Sequence, residues 1–214
     1  MISTGDLSLL PDIDRLKALM QSLALLDAIL CPEWEYRYHS FNAHWDIHEA
    51  MASIRDGSGD DLVVLFTPAG AVLKGFAHES PMSPYAADPP CVWPGVLDQI
   101  PAIFTSFLSE PAFKMTDTTF CIWRTYADTA WQHGVISFPA EDDPDGSGAL
   151  LAMLDGEPRT YQQWAESYYE RAVPLDAVTH IYQHQPLTAE IVTALNANVS
   201  LADVEGDRVE IGYP

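Results

Sequence analysis

Lysine is nearly missing from this chain. Only Lys17, Lys74 and Lys114 occur, and with the arginines they make ten cations against 31 acidic side chains, a formal net charge of −21. Phosphate backbones and anionic lipid surfaces are bound by clustered cations, so this balance argues against nucleic acid and against a membrane surface as partners. Long apolar runs are lacking too. The most apolar stretch, Leu19 to Leu30, is interrupted by Gln21, Ser22 and Asp27 and reads as a buried helix, well short of the roughly 18 apolar residues of a membrane span. Cysteine is sparse: Cys31, Cys91 and Cys121 are odd in number, far apart and in no Cys-x-x-Cys pair. Mostly buried, reduced thiols in the cytoplasm are expected. The start, Met1 to Asp6, has neither the basic residues nor the small-residue cleavage site of a secretory signal. No Gly-x-Ser-x-Gly elbow occurs to expose a serine, and there is no phosphate-cradling loop with a lysine and no dinucleotide fingerprint, which removes kinase, P-loop and Rossmann readings.

What remains is a globular composition. Hydrophobic residues make up 48% and charged residues 19% of 214 positions, enough for one sizeable core spanning 1–214. The negative charge is spread evenly: residues 1–107 hold 14 acidic and five basic side chains, residues 108–214 hold 17 and five. Such a surface repels anions and speeds encounter with a basic partner.

Apolar residues at Leu16, Leu19, Met20, Leu23, Leu26 and Leu30 recur at helical spacing, with Asp12 as N-cap and Pro32 as the stop. Leu25 and Ile29 widen that stripe, so the helix is either well covered or part of a dimer contact. From Glu33 to His78 the period shortens to two. Strands are expected over Glu33–Phe41, around Trp45–Met51, over Leu62–Phe66 and over Ala71–Phe76, with Asp56 to Asp60 and Pro68-Ala69-Gly70 as turns. Six prolines between 78 and 101 mark a long connection of the kind that is often functional. A broken helix over Val96–Leu108, strands over Thr118–Tyr126 and Gly134–Phe138, and a solvated acidic loop at Glu141–Gly148 should follow. Helices near Tyr161–Arg171, Leu175–Gln183 and Thr188–Asn196 come next, and Arg208–Tyr213 reads as a last strand. The fold class expected is α+β: one mainly antiparallel sheet of about six strands, with an N-terminal helix and C-terminal helices packed on it. Asp-Gly-Ser-Gly occurs at 56–59 and at 145–148, but the flanking residues do not match and no duplication is inferred.

The densest chemical cluster is His44-Trp45-Asp46-Ile47-His48-Glu49. On a strand, His44, Asp46 and His48 share one face while Trp45 and Ile47 point to the core. Two imidazoles and a carboxylate suit a divalent metal such as Zn²⁺. Same-face neighbours on a strand are about 7 Å apart, given a rise of roughly 3.3 Å per residue, so a further ligand such as His78 or Glu79 would have to complete the site. Asp56-Gly57-Ser58-Gly59-Asp60 opens like a calcium loop, but Asp61 stands where the loop needs Gly and Thr67 where it needs Glu. His180 and His184 have the spacing of a zinc helix without its glutamate. Trp93 lies in the proline-rich connection, where a rigid aromatic can anchor an interface; Trp34, Trp45, Trp123, Trp131 and Trp164 are expected in the core.

Ser53-Ile54-Arg55-Asp56-Gly57-Ser58-Gly59-Asp60, Lys74-Gly75-Phe76-Ala77-His78-Glu79-Ser80, Asp117-Thr118-Thr119-Phe120-Cys121-Ile122-Trp123 and the ending Glu210-Ile211-Gly212-Tyr213-Pro214 together resemble a family of uncharacterised bacterial proteins of about this length. The Gly-rich acidic turn and strands at 56–66 are similar, more loosely, to the SUKH immunity-protein superfamily. That second resemblance implies action by binding and neutralising a toxin. The expectation is therefore a cytoplasmic, acidic, non-catalytic module for a basic protein partner, monomeric or homodimeric, with no cofactor. Asp56, Asp60, His78, Glu79 and Trp93 are its candidate binding residues. The alternative is a metal-dependent hydrolase built on His44, Asp46 and His48, with Arg55, Lys74 and Arg124 as the cations available to an anionic substrate.

Overall fold

The computed structural model describes residues 2–214. Helix α1, Ile13–Leu30, begins at Asp12, whose side chain accepts the Arg15 N–H, satisfying one of the free N–H groups of the first turn. From Leu19 to Leu30 every residue of α1 is buried. That part of the helix is covered on all sides, so its wide apolar surface is accounted for within the chain. Its polar interruptions are answered one by one. Gln21 donates to the Ile211 carbonyl at 2.9 Å, Ser22 donates to the Ile181 carbonyl at 2.9 Å, and Asp27 accepts from Tyr161 at 2.7 Å. Buried polar groups are tolerated when bonded in this way.

A six-stranded antiparallel sheet follows, in the order of the sequence: β1 His39–Asp46, β2 Glu49–Arg55, β3 Asp61–Thr67, β4 Gly70–Phe76, β5 Phe120–Thr125 and β6 Gln132–His133. Alternation along each strand sends Ala52, Ile54, Leu62, Val64, Leu73 and Ile122 to one side, against α1. The other side carries Leu65, Val72, Cys121 and Trp123, packed with Met82, Val96, Phe104, Phe107 and Phe113. The proline-rich connection and the short helix α2, Thr105–Ser109, therefore form a third layer that closes the second face of the sheet. Trp93 belongs to this layer: it is half-buried and donates its indole N–H to the Ser137 carbonyl at 3.2 Å.

The C-terminal third is helical, with α3 Ser147–Leu150, α4 Pro158–Tyr168, α5 Leu175–Tyr182, α6 Ala189–Leu195 and α7 Glu205–Ile211. Among the described residues no helix is long and apolar enough to cross a membrane.

Five local expectations need correction. Residues 34–36 form a 3₁₀ turn and the first strand starts only at His39; Asp27 takes the N–H groups of Tyr38 and His39 at 2.9 and 2.7 Å and so ties the chain to α1 before it can pair. Beyond Gln132–His133 the segment 134–138 has no strand pairing, because it lies on the proline-rich layer: a Cβ on Gly134 would come within 1.9 Å of the Gly95 carbonyl oxygen. Val96–Leu108 is helical only from Ala102. The acidic loop is exposed at Glu141 to Asp143 but not at Asp145, which is fully buried and accepts the Thr4 hydroxyl at 2.5 Å. Finally, 205–211 is a helix and not a strand.

Candidate functional site

The segment between α1 and β1 is held at both ends. Arg37 is buried and donates from Nε to the Cys31 carbonyl at 2.8 Å and from Nη2 to the Pro32 carbonyl at 2.9 Å. Its guanidinium also grips Asp207 on α7, at 2.5 Å and 3.1 Å. A few residues on, Asp27 holds the backbone of Tyr38 and His39. With both ends fixed, the 3₁₀ turn cannot fold its aromatics inward. Trp34 is 56% exposed and Tyr36 57% exposed.

Helix α4 delivers the third ring. Tyr168, 44% exposed, stacks on Trp164 with centroids 5.0 Å apart and planes 15° from parallel, and meets Tyr38 edge-on at 5.7 Å. Its hydroxyl points to the Tyr36 carbonyl at 3.4 Å. Trp34 already carries a cation, since the Arg55 guanidinium lies 4.3 Å from its ring centroid, the arrangement in which an aromatic face attracts positive charge.

Carboxylates flank the rings. Glu33 and Glu35 are exposed on either side of Trp34. In the turn between β2 and β3, Asp56 accepts the N–H groups of Ser58, Gly59 and Asp60 at 2.8, 3.0 and 3.0 Å. Burial pushes the Asp56 carboxyl up, but these hydrogen bonds and the Ser58 hydroxyl outweigh it and hold it below its ordinary value. Asp60 takes both the backbone N–H of His78, at 2.8 Å, and its Nδ1, at 2.6 Å. That hydrogen bond raises the His78 imidazole above its ordinary value, helped by the charges of Asp60, Glu79 and Asp56. Tyr38 feels the same corner: burial, then the charges of Asp56 and Asp60, push its hydroxyl up to about 12.

Of the sequence candidates, Asp56, Asp60, His78 and Glu79 thus come together at one end of the sheet, with Glu79 Oε1 3.8 Å from His78 Nε2. Trp93 does not join them; it packs on the far face beside Ser137. Trp34, expected in the core, is instead an exposed ring of the surface. Tyr36 lies in the segment expected as a strand and Tyr168 in the helix expected near Tyr161–Arg171, neither as a candidate; the signal for a surface turn is Pro32-Glu33 after a long helix, which favours a turn over a strand.

His44, Asp46 and His48 are not placed as ligands. Strand β1 ends at Asp46, which pairs with Glu49, so Ile47 and His48 form the hairpin turn. His48 has φ of 62° and Ile47 is 81% exposed instead of core. The alternation needed to put three ligands on one face is therefore lost. Among the described residues no three His, Cys, Asp or Glu side chains are grouped to hold a metal ion. His180 and His184 bond separate backbone carbonyls, Pro186 at 3.0 Å and Ala18 at 2.8 Å, and His184 lies beyond the end of α5.

The fold and the corner define an acidic α+β protein with an exposed aromatic face. Comparison with protein-family models, with curated proteins and with solved structures finds no match.

Proposed function

We propose that this protein is a non-catalytic binding module, immunity-like or regulatory in kind, that takes a basic protein segment on the face formed by Trp34, Tyr36 and Tyr168 and bordered by Glu33, Glu35, Asp56 and Asp60. One observation carries the reading: three aromatic rings are held at the surface by a fixed backbone, beside carboxylates that no Lys or Arg among the described residues pairs with, Asp60 having only His78. Tryptophan and tyrosine are the residue types that dominate interface energetics, and rigidity lowers the entropy lost on binding. The charge supports the partner's sign. Among the described residues four Lys or Arg side chains contact carboxylates, namely Arg15 with Asp12, Arg37 with Asp207, Lys74 with Asp61 and Arg208 with Glu205. Most of the 31 acidic groups are thus free to attract a cationic partner. Cys31, Cys91 and Cys121 are free thiols, which fits a reducing compartment such as the cytoplasm.

The test uses an arginine-rich peptide of about ten residues as probe, titrated calorimetrically into the native chain and into a Trp34→Ala/Tyr168→Ala variant. Binding weakened at least tenfold by the double substitution, with no change in thermal midpoint beyond a few degrees, is expected. Equal affinity for both proteins would contradict the reading.

A further inference from the structure

The second face of the sheet holds a feature that the acidic surface does not predict. Between β2, β3, β4 and the short 3₁₀ turn Pro111–Phe113 lies a cavity of about 230 Å³, and Arg55, Lys74 and Lys114 all line it. Three of the ten cations of a chain with net charge −21 meet at this one place, against a single lining carboxylate, Asp61. The rest of the wall is Trp45, Met51, Val63, Ala112 and Phe113 with Ser53. Trp45 and Phe113 stack, with centroids 5.6 Å apart and planes 23° from parallel.

The cations are not fully used by the protein. Lys74 is 1% exposed, with its ammonium 3.0 Å from Asp61 and donating to the Asp117 carbonyl at 2.8 Å. An ammonium has three donors; the Asp117 carbonyl takes one, and Asp61 Oδ1 is a charge contact that itself has no hydrogen bond. Arg55 is the stronger indication. Its Nε and Nη2 are hidden from solvent and have no acceptor among the described residues. Those two nitrogens form the side edge of the guanidinium, whose parallel N–H bonds match the two oxygens of a carboxylate. A buried donor pair left without an acceptor is costly, and such a cost is removed by a ligand that supplies one.

We infer that this cavity is a binding site for a small carboxylate with an apolar or aromatic body. In that arrangement the carboxylate is gripped by the Arg55 fork, with Lys74 and Lys114 beside it, and the body lies along Trp45, Met51 and Phe113. The cavity is smaller than the 300–1,000 Å³ common for drug-sized ligands, which limits the occupant to something near the size of one aromatic ring. A phosphate would satisfy the cations but leave the apolar wall uncovered. This inference does not rest on the basic-peptide reading, although its Arg55 also lies against Trp34, 4.3 Å from the ring centroid.

The experiment titrates the full chain with benzoate, benzamide and inorganic phosphate at constant ionic strength, following thermal midpoint and tryptophan fluorescence, because Trp45 lines the cavity. Saturable benzoate binding in the millimolar range or tighter is expected, with benzamide and phosphate at least tenfold weaker. Arg55→Gln should abolish the benzoate response and Lys114→Ala should weaken it severalfold; Lys114 is exposed, so that variant keeps the test valid if Arg55→Gln fails to fold. No saturable benzoate response, a benzamide or phosphate response equal to it, or an unchanged response in Lys114→Ala would each overturn the assignment.

Discussion

Asp27 shows how single residues set the geometry of this protein. It has no exposed surface, and its two oxygens accept from the Tyr161 hydroxyl, the backbone N–H groups of Tyr38 and His39, and His39 Nδ1 at 3.0 Å. Replacing it by Ala strands all of these donors at once. Breaking a buried charged network costs about 3–5 kcal/mol, so Asp27→Ala should lower unfolding free energy in urea by that order. It should also loosen the 3₁₀ turn that presents Trp34. His78 gives a second expectation. Its folded value lies above the ordinary 6.5 because of the Asp60 hydrogen bond, so the stabilisation from that contact is fully present below pH 6.5 and disappears as pH rises through the raised value. An NMR titration should place the His78 midpoint above 6.5, and Asp60→Asn should bring it down. The part of the corner made of Asp56, Asp60, His78 and Glu79 was legible in sequence, because a Gly-rich acidic turn next to a short strand can only lie at a sheet end. Trp34 was not. Its alternation with Tyr36 and Tyr38 imitates a strand, and only a hydrogen bond from a helix more than ten residues earlier decides otherwise.

At the scale of elements, the central strands were legible because each is half of an alternating pattern, and the observed pairs Val64 with Leu73 and Ala52 with Val64 keep that alternation in register. The hairpin between β3 and β4 depends on Gly70, whose φ is 152° and where a Cβ would come within 2.2 Å of the Arg124 carbonyl oxygen. Gly70→Ala forces β5 away from β4, and a loss of about 1–3 kcal/mol is expected from overpacking of this kind, measured by chemical denaturation. The C-terminus departs from its expected strand for a physical reason. Val209, Ile211 and Tyr213 alternate with polar residues, yet the chain closes a helix there. Gly212, at φ of 69°, donates to Val209 and Tyr213 donates to Arg208, both at 3.1 Å, which is the Schellman closure. Gly212 followed by Pro214 was the available sign of a helix end. The proline-rich connection, unusual in its length and composition, covers the second face of the sheet.

For the whole molecule, the excess of acidic side chains was evident from composition, whereas its distribution relative to exposed rings required the fold. A field of this sign strengthens with low ionic strength, since charges more than about 10 Å apart are screened at 0.1 M salt. Association with an arginine-rich peptide should therefore slow and weaken as salt rises, while the aromatic contribution persists; stopped-flow rates at two salt concentrations separate the two parts. The most direct measurement is residue-resolved. In ¹⁵N spectra recorded during titration with that peptide at 0.15 M salt, the largest shifts should fall on Trp34, Tyr36, Asp56, Asp60 and Tyr168. Shifts spread evenly over the acidic surface, or concentrated at Glu141 to Asp143, would contradict the account.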